Sequence, residues 1–309
     1  MTEADALFAQ ALVALDAGEL ATAAERFERA ARILAPARPA DALHALASAT
    51  RLALMLGDRA RAGDLLARAR AIDPDAEQVA VLAAELADAG GDIEARRAAW
   101  EALVKSSDAK LRYRALLRLA ELARDERAHA LAAVHLTSAL AELPGDVSPV
   151  ARGELLLELA AARTTSDDRD GAARSLAQAE AQLPATGGDD VALLRARIAG
   201  QRGVLALAAG DLDAALQLGE VARDAAVAHD DVMTYLGASA LIAMVHEQAD
   251  RLVDAYDTYI RARESLGQLR GDAGRALVAP AIELFEQRLG AERFAAIWTA
   301  WAERRRATP

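Results

Sequence analysis

The sequence predicts an all-α fold, a right-handed superhelical solenoid of about seven helix pairs closed by a C-terminal capping pair. Three observations carry that expectation: a recurring turn-and-helix phrase, a helix-prone and aromatic-poor composition, and prolines that fall between phrases rather than inside them. In the phrase, a small residue, a large one four later and a small one three later share one helical face, so the helix is built for close approach by its neighbours. Recurrence every 34 to 43 residues marks a stacked array in which each pair buries its apolar face against the next.

Gly18-Glu19 leads to Ala23, Phe27 and Ala30, which places a helix over 20–34 behind a first helix over 3–16. Gly57-Asp58 leads to Ala62, Leu66 and Ala69, pairing 40–55 with 59–71, and Gly91-Asp92 leads to Arg96 and Trp100, pairing 75–89 with 93–105. Two copies without the glycine follow: Ala132, Leu136 and Ala139 in the pair 108–124 with 127–142, and Ala172, Leu176 and Ala179 in the pair 148–165 with 169–182. Gly210-Asp211 leads to Ala215, Gly219 and Ala222, pairing 189–209 with 212–228; Asp250 leads to Ala255, Tyr259 and Ala262, pairing 231–248 with 252–269. Pro36, Pro74, Pro144 and Pro184 each fall just past a second helix, where a missing N–H and a fixed φ stop growth, and Pro149 suits a first helical turn. After 270 the phrase stops, and 271–289 and 291–306 read as a last pair, with a kink or a late start expected at Pro280. The organisation is therefore a repeat array over 1–270 and capping helices over 271–309, continuous with it.

The run Leu46, Ala49, Leu54, Gly57, Ala62, Leu66, Ala69 and Pro74 resembles the tetratricopeptide repeat motif, and the likeness extends over about residues 3 to 269. Arg96 departs from it, standing where the motif has a small residue. The longer late repeats, with phrases such as Ala228-His229-Asp230-Asp231, look like tetratricopeptide variants of bacterial regulatory proteins. The resemblance implies a groove lined by the first helix of each pair and a non-enzymatic protein–protein interaction scaffold or adaptor that takes a partner protein or peptide there. The alternative is a bacterial regulatory sensor whose groove takes a signalling peptide or small ligand.

Composition narrows the field further. Across 309 residues, 53% are hydrophobic but only 4% aromatic, so close helix packing rather than a thick aromatic core must bury the surface. A formal net charge of −11, with acidic residues in every repeat, disfavours nucleic acid as a partner. Lys105 and Lys110 are the only lysines and alanine is abundant, as a GC-rich genome produces. With no cysteine there is no disulfide framework or thiolate chemistry, and the acidic start Thr2-Glu3-Ala4-Asp5 is unlike a secretory signal. No apolar run reaches the roughly 20 residues that cross a bilayer, so a cytoplasmic location and no membrane partner are expected. Nothing in the sequence calls for a homo-oligomer.

No catalytic, metal or cofactor site is expected. His44, His129, His135, His229 and His246 include no i, i+4 pair and no HExxH. Asp167-Asp168-Arg169-Asp170-Gly171 has Ala177 where a calcium loop needs its bidentate Glu; carboxylates opening a helix account for it. Gly200-Gln201-Arg202-Gly203 lacks the Lys and Ser/Thr of a phosphate loop and reads as close helix packing.

Carried residue by residue onto this chain, the resemblance puts Arg114, Arg118, Glu121, Arg197 and Gln201 on the groove. Arg114 and Arg118 match two positions of the family's carboxylate clamp, and Arg can fork onto a carboxylate. The same arginines could equally pair with Glu121, Glu154 or Glu158. Phe294, Trp298 and Trp301 form an aromatic stripe on the last helix that either packs near Phe285 or docks a partner. Arg304-Arg305-Arg306 is explained as cations at a helix C-terminus.

Overall fold

The structure is a computed structural model and describes residues 2–307; residue 1 of the expected array and residues 308 and 309 of the expected cap lie outside the described residues. Fifteen helices and no strand occur among the described residues. They run α1 (Glu3–Asp16), α2 (Leu20–Leu34), α3 (Pro39–Met55), α4 (Arg59–Ile72), α5 (Glu77–Gly90), α6 (Ile93–Leu103), α7 (Ala109–Asp125) and α8 (His129–Ala141). There follow α9 (Pro149–Thr165), α10 (Arg169–Gln182), α11 (Asp189–Ala208), α12 (Leu212–Ala228), α13 (Val232–Gln248), α14 (Leu252–Leu289) and α15 (Ala291–Ala307). None of them is long and apolar enough to cross a membrane.

Contacts gather the helices into two compact units, Met1–Gly145 and Asp146–Pro309. In the first, consecutive helices pack on one another from α1 to α8 and α3 also touches α5. In the second, the first helices of successive pairs, α9, α11 and α13, touch in series, with α10, α12 and α14 packed against them. The small-large-small phrase supplies these interfaces. Ala23, Ala30, Ala62, Ala69, Ala132, Ala139, Ala172, Ala179, Ala215, Ala222 and Ala255 are all wholly buried, with Phe27, Leu66, Leu136, Leu176 and Tyr259 between them at 4% exposure or less.

The turn inside each pair needs one residue in the left-handed region. Gly18, Gly57, Gly91 and Gly210 provide it at φ of 76 to 82°, and where the glycine is missing Arg127, Asp167 and Asp250 adopt φ of 60, 63 and 56°. The turn is thus kept when the glycine is lost, at the strain an L side chain carries there. Helix starts are capped by acidic side chains that accept backbone N–H bonds, among them Asp58, Asp92, Asp168, Asp211 and Asp231. Asp168, from the calcium-like run, takes the Gly171 N–H at 2.9 Å and so serves as a cap.

Arg96 also has a structural reason: its Nε donates to Asp88 at 3.1 Å, and the Nε1 of the buried Trp100 donates to the same oxygen at 3.0 Å. The long helix breaks at Gly271 (φ 62°, ψ −143°), at the expected boundary between the helices over 252–269 and 271–289, while the kink or late start expected at Pro280 is absent, the helix passing it without a non-helical residue. A reversal of the backbone requires a φ that proline cannot adopt and glycine can. Gly274 completes the bend, since a Cβ there would lie 2.0 Å from the Leu266 carbonyl oxygen.

Candidate partner-binding groove

In the first unit the expected groove arginines are held by carboxylates. Glu85, on α5, is largely buried and accepts from Arg51 Nε of α3 at 3.0 Å and from Arg114 Nη2 of α7 at 2.8 Å. The Arg114 guanidinium also stacks 5.5 Å from the Trp100 ring centroid. Arg118 Nη1 donates to Glu121 at 2.6 Å, and this hydrogen bond, against some desolvation, raises the Arg118 pKa. Arg114 and Arg118 therefore engage two different carboxylates rather than forming one fork. Each is nearly half exposed, so each pair contributes modestly to stability.

The second unit builds a cavity of roughly 390 Å³ on the open face of α9, α11 and α13. Leu157, Glu158 and Ala161 come from α9; Arg197, Gly200, Gln201 and Val204 from α11; Met233, Thr234, Gly237 and Ala238 from α13. Asp231, the cap of α13, closes one side. Arg197 and Gln201 thus line the same cavity. Arg197 Nη1 reaches Glu154 at 3.4 Å, and its charge is among the causes that hold Asp231 below the usual carboxylate range. Burial pushes Asp231 the other way but is outweighed by bonds from Thr234 and the Met233 and Thr234 N–H groups.

The glycines divide into two kinds. A Cβ on Gly203 would meet Leu241 Cδ2 at 2.5 Å, and one on Gly219 would meet Ile242 Cγ1 at 2.9 Å, so these two serve close packing. Gly200 differs from that expectation, since its added Cβ would meet only Ala222 Cβ at 3.7 Å, an ordinary contact; Gly237 has nothing within 4 Å. Each costs its helix roughly 0.5–1 kcal/mol relative to alanine. No close packing contact requires that cost, and both line the cavity.

The α13 share of the lining was missed from the sequence although a signal exists. Thr234, Gly237, Ala238 and Leu241 repeat the register of Arg197, Gly200, Gln201 and Val204 one pair earlier.

On α15 the aromatic stripe splits. Phe294 lies edge-on to Tyr256 at 5.5 Å and 6.3 Å from Phe285, and Trp301 lies edge-on to Tyr256 at 5.3 Å while its Nε1 donates to Asp257 at 2.9 Å. Trp298 is half exposed, because the inward arc is centred on the buried Ile297. Arg304 and Arg305 donate to Asp254 and Glu264 of α14, at 2.5 and 2.8 Å, fastening α15 across the helix beneath it. Among the described residues no group of three or more His, Asp or Glu is placed to hold a metal ion.

These features define an all-α array of repeated helix pairs. No family model and no curated protein sequence matches the chain. Among solved structures it is similar to BtubC (BKLC) from P. vanneervenii, with 16% identity, a TM-score of 0.45, and coverage of 88% of this chain and 94% of that one. It is also similar to a chain of the APC/C hetero-tetramer Cut9-Hcn1, with 16% identity, a TM-score of 0.38, and coverage of 77% and 47%. A third is the TPR2AB domain of yeast Sti1 in complex with pHSP90, with 16% identity, a TM-score of 0.31, and coverage of 78% and 98%.

Proposed function

We propose that the protein is a non-enzymatic interaction scaffold, with residues 1–270 as the repeat array and 271–309 as its cap, that holds a segment of a partner protein on the open face of α9, α11 and α13. The observation that carries this reading is the cavity lined by Gly200 and Gly237, two glycines that weaken their helices without serving close packing within the chain. A wall without side chains lets a second backbone approach closely. A peptide suits the lining better than a polar metabolite. Arg197 and Asp231 are engaged within the protein, and Ala161, Val204 and the exposed Met233 offer apolar contact for side chains.

The test is capture from a lysate of the source organism on immobilised protein, comparing the wild type with Gly200→Leu/Gly237→Leu, whose helicity is checked by circular dichroism. The proposal expects proteins retained by the wild type and lost from the variant. Equal retention on both refutes it. Arg114→Glu/Arg118→Glu serves as the comparison for the first unit, and selective loss there would move the binding surface to α7.

A further inference from the structure

The cavity wall continues beyond α13. Counted back from the left-handed turn residue of each pair, Asp167, Gly210, Asp250 or Gly290, the same two positions recur on successive first helices. They hold Glu154 and Ala161 on α9, Arg197 and Val204 on α11, Gly237 and Met244 on α13, and Leu277 and Leu284 on the part of α14 after Gly271. Ala161, Arg197, Val204 and Gly237 line the cavity, so this register faces the groove. Val278 and Ile282 pack that part of α14 on Val232, Tyr235 and Leu236 of α13. Along the register the charged residues Glu154 and Arg197, bonded to each other, give way to apolar side chains. Met244, Leu277 and Leu284 are about half exposed, and Met233 at the cavity rim is 72% exposed. Ala240 and Pro280 lie in the register of Gly200, and no charged residue shares these positions on α13 or on this part of α14.

Resting on the groove reading above, we propose that this apolar strip, continuous with the cavity and running across α13 and α14, takes an amphipathic α-helix of a partner protein. Large apolar side chains exposed in one patch mark an interaction surface. Leu277 and Leu284 stand seven residues apart, a rise of about 10 Å, and packed helices lie about 8–10 Å from one another. A trough of that width accommodates a helix about 10 Å across, which presents anchors at i, i+3 or i+4 and i+7, whereas an extended strand turns every second side chain away. The flexible thioethers of Met233 and Met244 adapt to the anchors that arrive, and Gly237 between them lets one turn of the incoming helix come close. Apolar burial drives the association, so binding changes little with salt.

A phage library of random peptides about 18 residues long, five turns of helix, is panned on the full chain and counter-selected on Met244→Glu/Leu284→Glu. These side chains are half exposed, so the variant is expected to fold, and circular dichroism and melting check that it does. Enriched sequences should carry large apolar residues at helical spacing. The leading peptide, synthesised, should gain helicity on binding and bind Met244→Glu/Leu284→Glu at least about tenfold more weakly than the wild type. Its affinity should change less than about threefold between roughly 0.05 and 0.5 M salt. Apolar residues at every second position, no gain of helicity, or a steep loss of affinity with salt would overturn the helical occupant and leave the groove reading standing. Binding lost on Gly200→Leu/Gly237→Leu but kept on Met244→Glu/Leu284→Glu would confine the occupant to the cavity and overturn the strip alone. A wild type that sediments as a dimer, and a Met244→Glu/Leu284→Glu variant that sediments as a monomer, would make the occupant a second copy and overturn the partner helix. No enrichment on the wild type, or peptides that bind the wild type and both variants alike, would overturn strip and groove together.

Discussion

Adding a methyl group at Gly200 and Gly237 should stabilise the protein, and adding one at Gly203 should not. All three backbone neighbourhoods are helical, so alanine gains roughly 0.5–1 kcal/mol of helix propensity at each position. At Gly200 the new Cβ has only an ordinary contact, Ala222 Cβ at 3.7 Å, and at Gly237 it has none. Gly200→Ala/Gly237→Ala should therefore gain about 1–2 kcal/mol, the two sites being independent. At Gly203 the Cβ would lie 2.5 Å from Leu241 Cδ2, 3.3 Å from Leu218 Cβ and 3.4 Å from the Ala215 carbonyl oxygen. Overpacking of that kind costs about 1–3 kcal/mol, enough to cancel or exceed the propensity gain. The assay is urea denaturation followed by circular dichroism, with midpoints compared at unchanged slope. On heating, each kcal/mol corresponds to about 2–4 °C for a unit of this size. If Gly200→Ala and Gly237→Ala lower the midpoint as Gly203→Ala does, these glycines serve packing and the groove argument loses its main support.

Gly274→Ala should cost about 1–3 kcal/mol or more, because its Cβ meets the Leu266 backbone at 2.0 Å and backbone cannot rotate away as a side chain does; thermal melts read the loss. Burial, then the Glu247 charge and hydrogen bond, push the Tyr259 phenol up to about 12. Its stabilisation is complete below the ordinary tyrosine value of about 10 and is lost as pH rises toward 12, about 2–3 kcal/mol in all. Tyr259→Phe should flatten stability against pH in that window, leaving the part due to Tyr256, whose pKa burial also raises. Glu85→Leu should cost about 1 kcal/mol in a denaturant melt, since Arg51 and Arg114 are each nearly half exposed and can return to water. Deleting residues 291–309 removes the Phe294, Ile297 and Trp301 contacts and uncovers Phe285, so melting should move to lower temperature and dye binding to exposed apolar surface should rise.

The sequence determined the helices and their pairing. A small residue recurring at helical spacing, a left-handed turn residue before it and a proline after it are local signals, and helix boundaries respond to local signals. The turns show how far this reaches: Asp167 and Asp250 occupy the glycine position without being glycine, and the register of the flanking phrases placed a turn there all the same, whereas Arg127, expected as the first residue of a helix over 127–142, is the turn residue and α8 starts at His129. Pro280 shows the limit. Proline marks where a hydrogen bond is missing, whereas a reversal needs a left-handed φ, and Gly271 supplied it.

Tertiary structure decided what each exposed position does. Spacing put Phe294, Trp298 and Trp301 on one stripe, but the neighbouring helix fixed the buried arc on Ile297 and left Trp298 in solvent. Only packing distances could separate Gly203, which a neighbour needs, from Gly200, which none does. The division at Gly145 and Asp146 came from contacts between helices, which no local phrase records. The charge of the groove was decided in the same way. Arg118 and Arg197 do engage Glu121 and Glu154, carboxylates that the sequence offered as partners, but Arg114 takes Glu85, 29 residues away on α5, because an ion pair forms where the fold brings charges together rather than where the chain lists them.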